Sequence, residues 1–165
     1  MGRDTSLRER IRTFEVTSSA FGHGQPIPAE YTKDRSPDLE WPRGPEGCVS
    51  FALVCDDPDA PTNEPFVHWV IFDIPADATG LPEGVSRKAK PPEAKGAVQG
   101  TNSFGRLGYD GPAPPPGHGT HHYRFQLYAL DRILDLQAGC TKADLLRALK
   151  GHVLSKGELI GTYSR

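Results

Sequence analysis

Three runs of aromatic and β-branched residues constrain the fold more than any other feature of the chain: VSFALVC (Val49–Cys55), FVHWVIFDI (Phe66–Ile74) and HHYRFQLYAL (His121–Leu130). The first is apolar on both of its alternating faces, as expected of a strand buried in the middle of a sheet. The other two continue that pattern, and long stretches rich in proline and glycine separate them. Only Thr141–Lys150 reads as a helix: Thr141 is its N-cap, Asp144 stands three residues on, Leu145, Leu146 and Leu149 form the apolar stripe, and Gly151 stops it. Phe14–Thr17 reads as an edge strand and Glu158–Tyr163 as a short returning one. The segments GQPIPAEYT and SPDLEWPRGPEG read as irregular connections, because each proline removes a ladder donor. Residues 1–12 read as a flexible lead, and residues 79–118 as largely without regular structure. The expected class is mainly β, with two packed antiparallel sheets and one or two short helices.

A chain of 165 residues suits a single domain, residues 1–165. At this length it buries about 70% of the surface its unfolded form exposes, with no need of a disulfide or metal to complete a core. The 18 glycines and 16 prolines are more than an ordinary domain carries, and since the apolar runs stay well patterned they indicate tight turns and ordered loops. A net charge of −2 without a basic stripe argues against nucleic-acid binding and against a polybasic membrane anchor. Cys48, Cys55 and Cys140 have no C-x-x-C spacing and do not suggest a disulfide framework. Neither a signal-type apolar segment nor a run long enough to span a membrane is visible, so the expectation is a reduced, cytoplasmic protein.

Alternation sorts side chains by face. It groups Phe66, His68, Val70, Phe72 and Ile74 on one side of the second run, and His121, Tyr123, Phe125, Leu127 and Ala129 on one side of the third. The first run leads straight into DDPDAP, which places Asp57 and Asp59 just past its end on a turn stiffened by Pro58 and Pro61. Three segments therefore each carry polar groups at the end of an apolar strand. If those ends meet, they line a pocket with an apolar floor and a rim of imidazole, phenol and carboxylate; if they do not, His68 is an ordinary core histidine and DPDAP an ordinary turn. A zinc site would need His68, His118, His121 and an aspartate to converge, and the neighbours His121 and His122 face opposite ways, so no bound metal is expected. Ser103 lacks the strand–turn–helix setting of a nucleophile elbow. The glycines of GTNSFGRLGYDG match neither a P-loop nor a dinucleotide fingerprint.

DDPDAP, then FVHWVIFDIP, then GTNSFGRLGYDGPAPPPGHGTHHYRFQLYALD closely resemble the phosphatidylethanolamine-binding protein family, also called Raf kinase inhibitor-like proteins, in its bacterial branch. The likeness runs from about residue 21 to residue 163, with PIPAEYT near its start and ELIGTY at its end. It implies a large antiparallel sheet packed on a smaller one and a small anion-accepting pocket, with no defining catalytic reaction. It assigns Asp57 and His68 to the pocket walls, adds Gly111, the Pro114–Pro115 rim, His121 and Tyr123, and gives Asp59 and Pro61 the shaping of the first loop. The chain departs from many relatives in having His122 where they have arginine. It also has a short KDRSP connection where they have a longer, cysteine-containing one.

Three functions follow as expectations. The preferred one is a ligand-binding or regulatory protein that takes a phosphate-bearing head group or phosphoamino acid, uses no cofactor, performs no catalysis, and has a protein kinase or another regulatory protein as partner. The second is a hydrolase using Asp57 with a histidine. The third is an interaction protein with a vestigial pocket, whose functional surface is the long region after the second strand. A homodimer fits any of them.

Overall fold

The computed structural model describes residues 12–165. The flexible lead expected over residues 1–12 falls outside the described residues but for Arg12, which already belongs to a strand. The chain forms β1 (Arg12–Glu15), β2 (Gln25–Pro26), β3 (Leu39–Glu40), β4 (Ser50–Asp57), β5 (Phe66–Pro75), β6 (Gly80–Leu81), β7 (Val98–Gln99), β8 (His121–Leu130), helix α1 (Lys142–Leu149) and β9 (Val153–Tyr163). The large sheet runs β1-β9-β8-β4-β5-β7, with β2 also on β9, while β3 and β6 pair as a separate two-stranded sheet.

The fold is mainly β with two sheets, as the sequence indicates, but its edges differ from the expectation. β1 and β2 both pair with β9 in parallel, so the large sheet is mixed. The two segments read as irregular connections contribute the two-residue strands β2 and β3, and the first edge strand begins at Arg12, two residues before the expected Phe14. β9 begins at Val153, ahead of the expected Glu158, because the buried positions of that first stretch are Ser155 and Gly157, residue types that hide a strand from propensity, with Gly161 a third small residue further along the same face. Their smallness is a packing requirement. A Cβ at Gly161 would stand 2.5 Å from Ile27 Cγ1 and 2.7 Å from the Phe21 ring.

Both faces of the large sheet are covered. On one side Phe51, Leu53, Trp69, Ile71, Phe125 and Leu127 pack against Ile27, Leu39, Trp41 and Leu81 from the small sheet and its loops. On the other, Ala52, Val54, Val70 and Phe72 meet Leu134, Leu145 and Leu149 of α1 and its approach. The double cover explains why every residue of β4 is buried. Asp56, fully buried on the helix side, is held by Arg124 Nε at 2.8 Å and Lys142 Nζ at 2.7 Å, which ties α1 to the sheet. α1 itself starts with the expected reciprocal capping of Thr141 and Asp144.

The simple alternation expected for the second run is overturned by two bulges. Cys55 pairs with Trp69 but Asp56 pairs with Val67, so His68 is an extra residue. His68 and Trp69 therefore both turn to the small-sheet side, while Val70 and Phe72 go to the helix side. A second irregularity opposite Ala52 contains Asp73 at φ +55°, a conformation aspartate tolerates, and returns Ile74 to the small-sheet side. Among the described residues no helix is long and apolar enough to cross a membrane.

Candidate functional site

Antiparallel pairing brings three polar strand ends together. β4 lies between β5 and β8 and runs opposite to both, so its last residue, Asp57, sits beside their first residues. The β5 bulge then aims His68 into the same space. These ends enclose a cavity of about 210 Å³ lined by Asp57, Phe66, His68, His121 and Tyr123, walled by Ala60, Pro61 and Thr62 on one side and by Phe104, Ala113, Pro114 and Pro115 on the other. Asp57 is the last residue of the strand, a correction to its expected position past the end.

Two of the site residues expected from the sequence lie elsewhere. Asp59 is outside the cavity lining. Its carboxylate accepts from the His122 backbone N–H at 2.8 Å and meets His122 Nδ1 at 2.8 Å on the outer surface, and these bonds hold it below the usual carboxylate range although partial burial opposes them. Gly111 stands behind the rim, where its N–H donates to the Lys33 carbonyl at 2.6 Å. Only glycine fits there, since a Cβ would fall 2.3 Å from the Tyr31 carbonyl oxygen.

Every histidine at the site is oriented by a partner. Asp57 Oδ2 lies 2.6 Å from His121 Nδ1, and both side chains are almost fully buried. The other nitrogen of that ring, Nε2, lies 2.6 Å from His118 Nδ1, so a hydrogen-bonded chain runs from a buried carboxylate to the proline-rich loop. His68 Nδ1 is 2.6 Å from the Asp110 carbonyl oxygen. A carbonyl can only accept, so His68 carries its proton on Nδ1, and Nε2 is the nitrogen left for the cavity. Burial disfavours the charged ring and lowers the pKa of His68, against the opposing pull of the Asp110 carbonyl and the Asp57 charge.

Tyr123 forms the floor. Its ring lies 5.2 Å from that of His68 and 6.5 Å from that of His121. Its hydroxyl is buried and makes no hydrogen bond among the described residues. Burial, and next the nearby Asp57 charge, push the phenol pKa up, so it remains a donor throughout the physiological range.

Phe104 and Asp110 are the residues that sequence reasoning missed. Phe104 caps the mouth, its ring 4.8 Å from Phe66 and 5.8 Å from His68. The available signal was a lone aromatic in a polar, glycine-rich turn, and since single apolar residues are ordinary on a surface it did not stand out. Asp110 acts on His68 through its carbonyl, which no residue pattern announces, and its carboxylate is gripped by Arg87, Arg106 and Asn102. Among the described residues no group of three metal-ligating side chains is arranged around an ion-sized space.

Comparison with known proteins agrees with the fold. The family model for phosphatidylethanolamine-binding protein matches residues 17–164. A UPF0098 protein from Methanothermobacter thermautotrophicus is 50% identical over 153 residues, covering 91% of this chain and 98% of the relative. Among solved structures, E. coli YbcL, described as a new member of the mammalian PEBP family, aligns with a TM-score of 0.86 at 33% identity, over 92% of this chain and 98% of its own. Chlamydia trachomatis CT736 aligns with a TM-score of 0.82 at 35% identity, over 93% of this chain and 99% of its own.

Proposed function

The chain belongs to the phosphatidylethanolamine-binding protein family, and from that premise we propose that its pocket receives the phosphate of a small phosphorylated ligand, a lipid head group or phosphoamino acid, so that the chain works as a binding and regulatory module. The observation that carries this reading is the Tyr123 hydroxyl, a buried donor beside the Asp57 carboxylate that makes no hydrogen bond of normal geometry among the described residues, placed between two histidines. A buried polar group of this kind calls for a partner, and a phosphate oxygen supplies one. The cavity is smaller than those that enclose drug-sized molecules, so it suits a head group and leaves any acyl chain outside.

The tautomers make this uptake proton-linked. With Nδ1 tied back to Asp110, neutral His68 offers only a lone pair to the cavity, and an anion repels it. Once protonated, the ring donates from Nε2 and adds a positive charge. The arriving anion therefore draws a proton onto the site. If the phosphate belongs to a protein side chain, the same pocket is the means of engaging a kinase or another regulatory partner in the cytoplasm.

One observation favours a second reading, hydrolysis: the short Asp57–His121 contact resembles a base and its orienting carboxylate. Against it, Thr62 supplies the one aliphatic hydroxyl that lines the cavity among the described residues, and it donates to the Glu64 carbonyl at 2.5 Å. Calorimetric titration of phosphate and phosphoethanolamine, run beside a screen of chromogenic esters and phosphate esters, separates the readings. Saturable binding without turnover is expected. Turnover abolished by Asp57→Asn would assign the hydrolase. No binding and no turnover would leave the surface, and not the pocket, as the functional element.

A further inference from the structure

Next to the pocket, across the Phe104 ring, lies an open cleft of about 480 Å³ lined by Lys33, Asp34, Arg87, Arg106 and Asp110. Phe104 and Ala113 line both spaces and form a shared wall. Three cations face two carboxylates here, so the cleft keeps a net positive charge. Arg106 is set up to use it. Its Nε and Nη2 donate to the Asp110 carboxylate at 3.1 and 3.0 Å, and its guanidinium carbon sits 5.3 Å from the centre of the Phe104 ring. Those contacts fix the plane of the group and leave Nη1 without a partner among the described residues, on a side chain that is 58% exposed. The guanidinium is thus preorganised, which lowers the entropy lost when it captures a ligand.

Building on the phosphate reading of the pocket, we propose that this cleft is a second anionic subsite and that the chain selects phosphate esters carrying an additional carboxylate or phosphate. The His68 ring lies 5.8 Å from the Phe104 centre and the Arg106 guanidinium carbon 5.3 Å from it. A ligand need reach no further than those two distances laid end to end, the span of a small bifunctional phosphate ester. Its phosphate sits over Tyr123 and His68, its backbone crosses the edge of Phe104, and its second anion accepts from Arg106, with Lys33 adding charge to the cleft lining.

Phosphoserine and phosphoethanolamine differ by one carboxylate, so titrating both into the same protein, with inorganic phosphate as a third probe, isolates the second subsite. Wild type is expected to bind phosphoserine about fivefold more tightly than phosphoethanolamine, the scale of an exposed but well-oriented ion pair. Arg106→Gln should bring that ratio close to one; the ratio is read within each variant, so any effect common to the three probes through Asp110 or Phe104 cancels. Arg106→Lys, which keeps the charge, should retain part of the preference. A wild type without preference, or a preference that survives Arg106→Gln, would overturn the second subsite alone. Failure of all three probes to bind wild type would overturn the pocket reading and this one with it.

Discussion

Replacing Tyr123 by phenylalanine should move stability and binding in opposite directions. The residue is 1% exposed and its hydroxyl has no hydrogen-bond partner among the described residues. A buried, unsatisfied hydroxyl costs about 1–3 kcal/mol relative to a state in which it is solvated or absent. Phenylalanine keeps the ring that packs between His68 and His121 and removes only the oxygen. We therefore expect Tyr123→Phe to stabilise the ligand-free protein by about 1 kcal/mol, which raises the melting temperature by roughly 2–4 °C for a domain of this size. Binding should suffer. A hydrogen bond to a charged phosphate contributes about 1.5–3 kcal/mol, so the affinity for phosphoethanolamine should fall by a factor of about 10 to 150. Differential scanning calorimetry reads the first effect and isothermal titration the second. A less stable variant would mean that the hydroxyl does have a partner in the ligand-free protein. An unchanged affinity would mean that the phosphate does not touch it.

His68→Ala should weaken phosphate binding by about 1–3 kcal/mol in the same titration, whereas His122→Ala should change little, since His122 pairs with Asp59 on the outer face; equal losses would refute this assignment of sides. Affinity should rise as the pH falls from about 8 toward 6.5, where a phosphate ester stays largely dianionic and His68 needs a proton to donate, and a flat profile would remove His68 from the mechanism. The stability of the ligand-free protein should change the other way. Burial lowers the His68 pKa, so below its unfolded value of about 6.5 the unfolded chain binds the extra proton and stability falls, levelling off below the folded value. Denaturant midpoints on either side of that value should show the loss in wild type and less of it in His68→Phe, and identical slopes would contradict the assignment. Gly161→Ala drives a methyl group against Ile27 and Phe21 and should destabilise by about 1–3 kcal/mol, seen as a lower melting temperature, and a neutral result would show that the β2–β9 edge is loose.

What could be read from the sequence was whatever depends on side-chain chemistry repeated at a fixed period. β8 begins and ends where its pattern does, at His121 and Leu130, and its small-sheet face carries Tyr123, Phe125, Leu127 and Ala129 as the alternation requires. The helix was legible from Thr141 and Asp144, because a cap is a local interaction. What was hidden depends on the neighbouring strand. A bulge is defined by counting residues against a partner, and nothing in FVHWV marks His68 as the extra one, so Val70 and Phe72 were assigned to the wrong side. Asp56 and Asp57 looked like the start of a turn because two acids precede a proline. In the folded chain Arg124 and Lys142 neutralise Asp56, and His121 pairs with Asp57, which lets the strand run on. β9 was half concealed because Ser155 and Gly157, the latter lying against Phe14, erase the strand signal ahead of Glu158. The orientation of His68 rests on a backbone carbonyl at Asp110, and backbone groups leave no trace in a residue pattern.

Nitrogen-15 NMR of the histidine rings, recorded while phosphate is titrated into the uniformly labelled protein near pH 7.5, tests the proton-linked pocket most directly, because the two ring nitrogens report tautomer and charge separately. In the ligand-free protein His68 should appear as a neutral ring with its proton on Nδ1, bonded to Asp110, and Nε2 bare. Saturation with phosphate should convert Nε2 of His68 to the protonated form, with the proton resonances of the Tyr123 ring shifting in step and the ring nitrogens of His122 and His152 remaining where they were. A His68 ring that keeps its neutral signature through saturation, or one that carries its proton on Nε2 from the start, would contradict it.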